Sequence, residues 1–319
     1  MSEVLLETHG LTKAYGKRNV VDDVNLHIHK GSIYGLVGRN GAGKTTLMKI
    51  ITGMTKPTDG TFEYNGLGAD LKEAYGKIGV LVEIPAIMPS MTAYDNLKFK
   101  CIGYNCVDDA FIRETLQLVG LANTGSKKAS KFSLGMKQRL GIALALVGNP
   151  EILILDEPIN GLDPQGIVEI RELLIKLNQE RGTTIIISSH ILTELSKLAT
   201  EYAFIENGRI VEELTREELE NNSRSKLIIK CEDARAADKV LKENGFSNYE
   251  VADNETIFVY DKEDVGPVMN MKICQAGIMV KSFAYEVADL EEYFLNIING
   301  VSNKGNDSAV SAAADKEVV

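Results

Sequence analysis

The sequence predicts an α/β fold organised on a mainly parallel sheet, and three observations carry that prediction. The segment Gly38-Arg39-Asn40-Gly41-Ala42-Gly43-Lys44-Thr45 matches the phosphate-loop pattern G-x-x-x-x-G-K-[ST] at every fixed position. An apolar run, Ile33-Tyr34-Gly35-Leu36-Val37, leads into it and Thr46-Leu47-Met48-Lys49-Ile50-Ile51 leaves it, so the loop joins a strand to a helix. Further along, short apolar strands alternate with longer helical patterns, the rhythm of parallel strands joined by crossovers.

Residues 4–30 alternate as β-structure and are broken by the turn Gly16-Lys17-Arg18-Asn19. His27 and His29 fall on one strand face with no third ligand in view, which reads as a solvated face rather than a metal pair. After the first helix, residues 53–60 form a loop, and Thr61-Phe62-Glu63-Tyr64 before Asn65-Gly66 suggests a hairpin. Ile78 to Val82 is a buried strand ending in Glu83, and Ile84-Pro85-Ala86-Ile87-Met88-Pro89 is a proline-broken loop. A helical pattern runs from Thr92 to about Gly120, followed by a polar loop over 123–131.

Ser133 opens an apolar helix closed by Gly148-Asn149-Pro150. Ile152-Leu153-Ile154-Leu155-Asp156 is a strand tipped by Asp156 and Glu157. Asp163 and Pro164 have the residue types of an N-cap and first helical position, and that helix runs to Gly182. Thr183 to Ser189 is another buried strand, followed at once by His190, and a last hairpin turns on Asn207-Gly208. Near Glu220-Asn221-Asn222-Ser223 the texture changes. We place a boundary there, giving a nucleotide domain over 1–222 and a small α+β domain over 223–300. Residues 301–319 are rich in Ser, Ala, Asp and Lys, the composition of a disordered tail.

Composition narrows the function. A net charge of −10 argues against nucleic acid as the main partner. Cys101, Cys106, Cys231 and Cys274 are too sparse for a disulfide framework and suggest a reducing cytosol. No apolar stretch reaches the roughly 18–20 residues needed to span a bilayer, and the start lacks a basic n-region. A cytoplasmic chain, with any membrane role exerted through a partner, is the expectation.

The glycines of the phosphate loop let several N–H groups converge on phosphate oxygens, and the helix start adds positive potential. Lys44 is then placed for the β- and γ-phosphates, and the Thr45 hydroxyl for Mg²⁺. Asp156 supplies a carboxylate to hold the ion from the far side, and Glu157 a base for water.

In this order and spacing the chain resembles the nucleotide-binding subunit of ABC transporters over roughly residues 3–220. Phe132-Ser133-Leu134-Gly135-Met136-Lys137-Gln138-Arg139 stands where that family has its signature, Gly161-Leu162-Asp163 where it has its D-loop, and His190 where it has its switch histidine. The resemblance implies an antiparallel β subdomain and a helical signature subdomain beside the core sheet. It implies ATP and Mg²⁺ as cofactors, held by Gly38, Arg39, Asn40, Gly41, Ala42, Gly43, Lys44, Thr45 and Thr46. It also implies a homodimer, or a paired ABC subunit, that closes head to tail on ATP. Ser133 and Gly135 would then contact the partner's γ-phosphate, Asp163 would couple the sites, His190 would hold γ-phosphate and water, and Tyr15 would stack on adenine.

Two motifs depart from the family, at three positions. Glu83 stands where most members carry Gln, which adds negative charge near Asp156 and Glu157, although it can still ligate Mg²⁺ through water. Leu134 and Met136 replace the usual Gly and Gln. These departures, with Leu290-Glu291-Glu292-Tyr293-Phe294-Leu295, resemble the branch of bacitracin-resistance and lantibiotic-immunity exporters. That branch works with a separate membrane permease and moves peptide antibiotics. An exporter of another cargo, and a soluble ABC ATPase that moves none, are the alternatives. A GTPase is disfavoured, because the guanine motif Asn-Lys-x-Asp is absent.

Overall fold

In the computed structural model, residues 3–66, 76–222, 226–260 and 265–286, with Tyr293 and Ile297, are described. The expected tail, and residues 290–295 apart from Tyr293, lie outside them. The described chain divides into two compact units, one running to Arg216 and the other beginning at Glu217. The division falls six residues before the one read from composition.

The first unit holds two sheets. β1 (Val4–Tyr15), β2 (Arg18–His29) and β4 (Asp59–Tyr64) form an antiparallel sheet in the order β2-β1-β4. β3 (Ile33–Val37), β5 (Ile78–Leu81), β6 (Ile152–Asp156), β7 (Thr184–Ser189), β8 (Glu201–Glu206) and β9 (Arg209–Thr215) form the second, in the order β5-β6-β7-β3-β8-β9. All its pairings are parallel except β8–β9. β3, β6 and β7 are buried at every residue, which is why they read as unbroken apolar runs rather than alternating ones. Around α1 (Lys44–Ile51), Leu47, Met48 and Ile50 pack with Leu26 and Ile28 of β2 and Ile152 and Ile154 of β6, tying both sheets to the helix after the phosphate loop.

The helical pattern read from Thr92 to about Gly120 is two helices, α2 (Ala93–Gly103) and α3 (Asp109–Leu118). Thr92 opens α2 with a capping box to Asp95, and the break is the turn at Tyr104-Asn105, where Asn105 is left-handed at φ 52°. α4 (Leu134–Ala145) and α5 (Pro164–Arg181) follow, with Gly182 left-handed at the end of α5. His27 and His29 each meet a different glutamate, Glu213 at 3.3 Å and Glu201 at 2.8 Å, so the strand histidines are hydrogen-bond partners of carboxylates.

Gly79 of β5 sits where no side chain fits. A Cβ there would lie 2.3 Å from the Ala145 carbonyl oxygen and 2.9 Å from Pro150 Cγ. Gly79→Ala is therefore expected to cost about 1–3 kcal/mol of stability, read as a lower urea midpoint. Gly76→Ala, which meets open space, should stay within about 0.5 kcal/mol.

α6 (Leu192–Leu195) follows His190, and α7 (Arg216–Asn222) leads into the second unit. There β10 (Lys226–Cys231), α8 (Ala234–Glu243), β11 (Tyr249–Val251), β12 (Thr256–Val259), α9 (Val265–Gln275) and β13 (Val280–Glu286) make an α+β unit. Its antiparallel sheet runs β11-β12-β10-β13, the split βαβ arrangement. Ala237 and Leu241 of α8 and Met269 and Ile273 of α9 cover Leu227, Ile229 and Ile257.

Candidate functional site

The site lies at the carboxyl ends of β3, β6 and β7, where their loops gather. Val37 ends β3 and Gly43 is the N-cap of α1 with φ 114°. Only glycine fits there, because a Cβ would lie 2.6 Å from the Val20 carbonyl oxygen. With no side-chain cap at this helix start, the first N–H groups face the loop.

Lys44 is buried at 5 % exposure, its stem under the loop. Its Nζ donates to the Gly38 carbonyl at 2.7 Å and the Arg39 carbonyl at 3.2 Å. It also meets Glu157 Oε1 at 3.3 Å, an ion pair without hydrogen-bond geometry. Thr45 Oγ1 donates to Asp156 Oδ2 at 2.7 Å. Asp156 is buried, and its other oxygen accepts from Ser188 Oγ at 2.6 Å.

Glu157 leaves the strand in a left-handed conformation, φ 48°, held by its N–H donating to Ser188 Oγ at 2.9 Å. This turns the carboxylate toward His190, whose Nδ1 lies 2.9 Å from Oε2. Ser188 therefore serves both acids. Nothing in the sequence singles it out, one hydroxyl in an apolar strand; the β6–β7 register, with Asp156 opposite Ser188, is what brings it there.

Lys44, Thr45, Asp156, Glu157 and His190 thus form one network. Ser133, Gly135 and Asp163 belong to a second group. Ser133 caps α4, its Oγ accepting from Met136 N at 3.3 Å, and Asp163 caps α5, accepting from Gly166 N at 3.1 Å. The two turns lie against each other: a Cβ on Gly161 would meet Leu134 Cδ2 at 3.2 Å, and one on Gly135 would meet Leu162 Cδ2 at 3.7 Å. Ser133 and Asp163 are exposed. Arg39, Asn40 and Gly41 form the exposed rim of the loop, Ala42 is buried, and Thr46 is half-buried on α1.

Tyr15 stands apart at the end of β1, 55 % exposed, with Lys13 Nζ 5.3 Å from its ring centroid. Glu83 also stands outside the network. It is left-handed at φ 62°, and its carboxylate is bonded by Lys49 Nζ at 2.6 Å. Lys49 lies one turn beyond Thr45 on α1, so this cation offsets the extra negative charge that a carboxylate brings here. With Glu83 58 % exposed, the pair is worth less than ~1 kcal/mol.

The donor set suits Mg²⁺. Thr45 and Asp156 present hard oxygens, and no group of three or more His, Cys, Asp or Glu that could hold a metal ion occurs among the described residues. An ion that keeps most of its shell for water and phosphate needs only one or two side chains.

The sequence profile of the ABC transporter family matches residues 21–160. The bacitracin transport ATP-binding protein BcrA of Enterococcus faecalis is 41 % identical over 305 residues, covering 93 % of this chain and 97 % of that protein. A lantibiotic transport ATP-binding protein of Streptococcus pyogenes is 44 % identical over 217 residues, 68 % of this chain and 93 % of that protein. Among solved structures, a dimeric ATP-binding cassette in a post-hydrolysis state with ADP and phosphate superposes with a TM-score of 0.61 at 26 % identity, covering 66 % of this chain and 99 % of that one. The phosphate loop, the acid pair on β6, the signature turn and His190, together with similarity to such relatives over most of its length, establish that this chain belongs to the ABC transporter family as an ATP-binding, ATP-hydrolysing subunit.

Proposed function

We propose that the protein is the cytoplasmic motor of an exporter that removes peptide antibiotics of the bacitracin or lantibiotic type, acting on a separate membrane permease. The observation that carries the motor half is the hydrogen-bonded network of Thr45, Asp156, Glu157, Ser188 and His190 around the buried Lys44. In this reading the loop N–H groups from Gly38 to Thr46 and Lys44 bind the triphosphate, and Tyr15 stacks on the adenine. Thr45 and Asp156 would hold Mg²⁺, whose charge would screen the phosphates, and Glu83 would be free to join them only after leaving Lys49. Glu157 accepts the proton of the attacking water, and His190 fixes the Glu157 carboxylate and reaches the γ-phosphate. Ser133, Gly135 and Asp163 form an exposed group suited to the nucleotide bound by a second copy.

No helix among the described residues is long and apolar enough to cross a membrane. In this reading a partner carries the cargo path. The place for it is an apolar groove of about 680 Å³ whose lining includes Val80, Val82, Ile84, Phe99, Ile102 and Leu144. Ile84 is 83 % exposed, Phe99 53 % and Ile102 60 %, so large apolar side chains face solvent together. A short apolar helix from a cytoplasmic loop of the permease is the occupant that fits, and Glu83 stands at the edge of this region.

Phe99→Glu should reduce recovery of the permease with the tagged subunit at least about tenfold, while ATP turnover of the isolated subunit stays within about twofold. Equal recovery would place the permease elsewhere. The cargo half is tested by deleting the gene and measuring growth across bacitracin and a panel of lantibiotics. Sensitisation to one of them is expected. Unchanged susceptibility with a permease still co-purifying would indicate another cargo, and no permease at all would indicate a soluble ATPase.

A further inference from the structure

Helix α2 ends in a Schellman turn. Asn105 is the left-handed residue, its N–H donates to the Ile102 carbonyl at 3.1 Å, and Cys106 N–H reaches back to the Cys101 carbonyl at 3.0 Å. In this motif the first and last side chains of the 6→1 bond meet, ordinarily as an apolar contact. Here both are thiols, Cys101 fully buried and Cys106 half-buried, and both are free.

We propose that Cys101 and Cys106 form a redox modification site, a thiol pair that hydroperoxides convert to an intramolecular disulfide. The turn folds the chain back so that the Cys106 N–H meets the Cys101 carbonyl, the arrangement in which the side chains of these two positions face each other. The two thiols divide the roles. Burial pushes the Cys101 thiol up to about 11, with smaller contributions from the charge of Cys106 and a hydrogen bond to it, so Cys101 stays protonated until its partner is oxidised. Cys106 is the less buried residue of the two.

The chemistry balances with the peroxide as the only oxidant. The Cys106 thiolate attacks the O–O bond, giving a sulfenic acid and an alkoxide or hydroxide, which takes up the thiol proton. Cys101 sulfur then attacks the Cys106 sulfur, the S–O bond breaks, and the hydroxide leaves with the Cys101 proton as water. One peroxide is reduced, two thiols are oxidised, and a dithiol reductant reverses the change.

The position gives the modification a consequence. Phe99, Lys100, Ile102, Gly103 and Tyr104, which surround the pair in sequence, all line the apolar groove. A disulfide would staple the end of α2 and fix Tyr104, whose ring lies 3.0 Å from where a Cβ on Gly148 would stand. The thiol chemistry requires neither bound ATP nor an occupant in the groove.

The test uses the full chain carrying Cys274→Ser, which removes the exposed thiol and leaves three. After hydrogen peroxide and before any labelling, the intact chain is expected to be about 2 Da lighter, the two hydrogens. Denaturing alkylation should then add one label, at Cys231, where the untreated chain takes three. Peptide mapping should show one cross-linked species joining Cys101 to Cys106, and dithiothreitol should restore both thiols. Adding Cys106→Ser should abolish the loss and leave Cys101 alkylatable. Two results would overturn the proposal: Cys101 and Cys106 both open to alkylation after peroxide, or Cys106 carried to the sulfinic acid beside a free Cys101. Because the peptide map is read on the parent, the outcome holds whether or not Cys106→Ser folds.

Discussion

Glu157→Gln is expected to lower steady-state ATP turnover about 10²–10⁴-fold, the range for removing a general base, while nucleotide affinity stays within a few-fold. The substitution keeps shape and the backbone bond from Glu157 N to Ser188 Oγ, and removes only the capacity to take a proton. His190 Nδ1 can still meet the side-chain oxygen at the Oε2 position, so the ring is not released. The left-handed backbone at φ 48° tolerates either residue, being set by the turn after β6. Phosphate release by the purified subunit, paired with titration of a fluorescent ATP analogue, separates the two effects. Turnover within tenfold of the parent would move the proton acceptor elsewhere. Equal loss of binding and turnover would make Glu157 a structural residue.

Lys44→Met should have the opposite signature. The lysine is the one cation among the described residues that ties the loop carbonyls of Gly38 and Arg39 to the Glu157 carboxylate. Methionine preserves most of the buried stem but leaves two carbonyls without their charged donor and Glu157 without its ion-pair partner. In the proposed site the same ammonium bonds the β- and γ-phosphates, and a hydrogen bond to a charged group is worth about 1.5–3 kcal/mol. Affinity for ATP is therefore expected to fall roughly 10–100-fold, and turnover should be lost mainly because nucleotide is not held. Isothermal titration with ATP reads this directly, and unaltered affinity would remove Lys44 from the triphosphate site.

Much of this site could be read in the chain because its parts are local. The phosphate loop and the acids at the end of β6 are set by contiguous residue types, and the caps at Ser133 and Asp163 by a single polar residue before a helix. What escaped depends on register or on one residue's dihedrals. Ser188 is an unremarkable hydroxyl until the β6–β7 pairing places it opposite Asp156. The partner of Glu83 is Lys49, distant in sequence and brought near only when β5 lies beside the α1 region. The break between α2 and α3 rests on single residues, Asn105 in the left-handed region at the end of α2 and Asp108 capping α3 by accepting from Ala110 N. The small second unit was legible as α+β, but its strand order was not, because antiparallel neighbours distant in sequence leave no local signal.

In the proposed cycle two copies close on ATP, each supplying its Lys44, Asp156 and Glu157 to one nucleotide and its Ser133 and Gly135 to the other. Light scattering on Glu157→Gln is the decisive measurement, since that variant should hold ATP and Mg²⁺ without consuming them. The expected masses are those of two chains with ATP and Mg²⁺ and of one chain with ADP. A single-chain mass under saturating ATP, with binding confirmed in the same sample, would rule out this cycle.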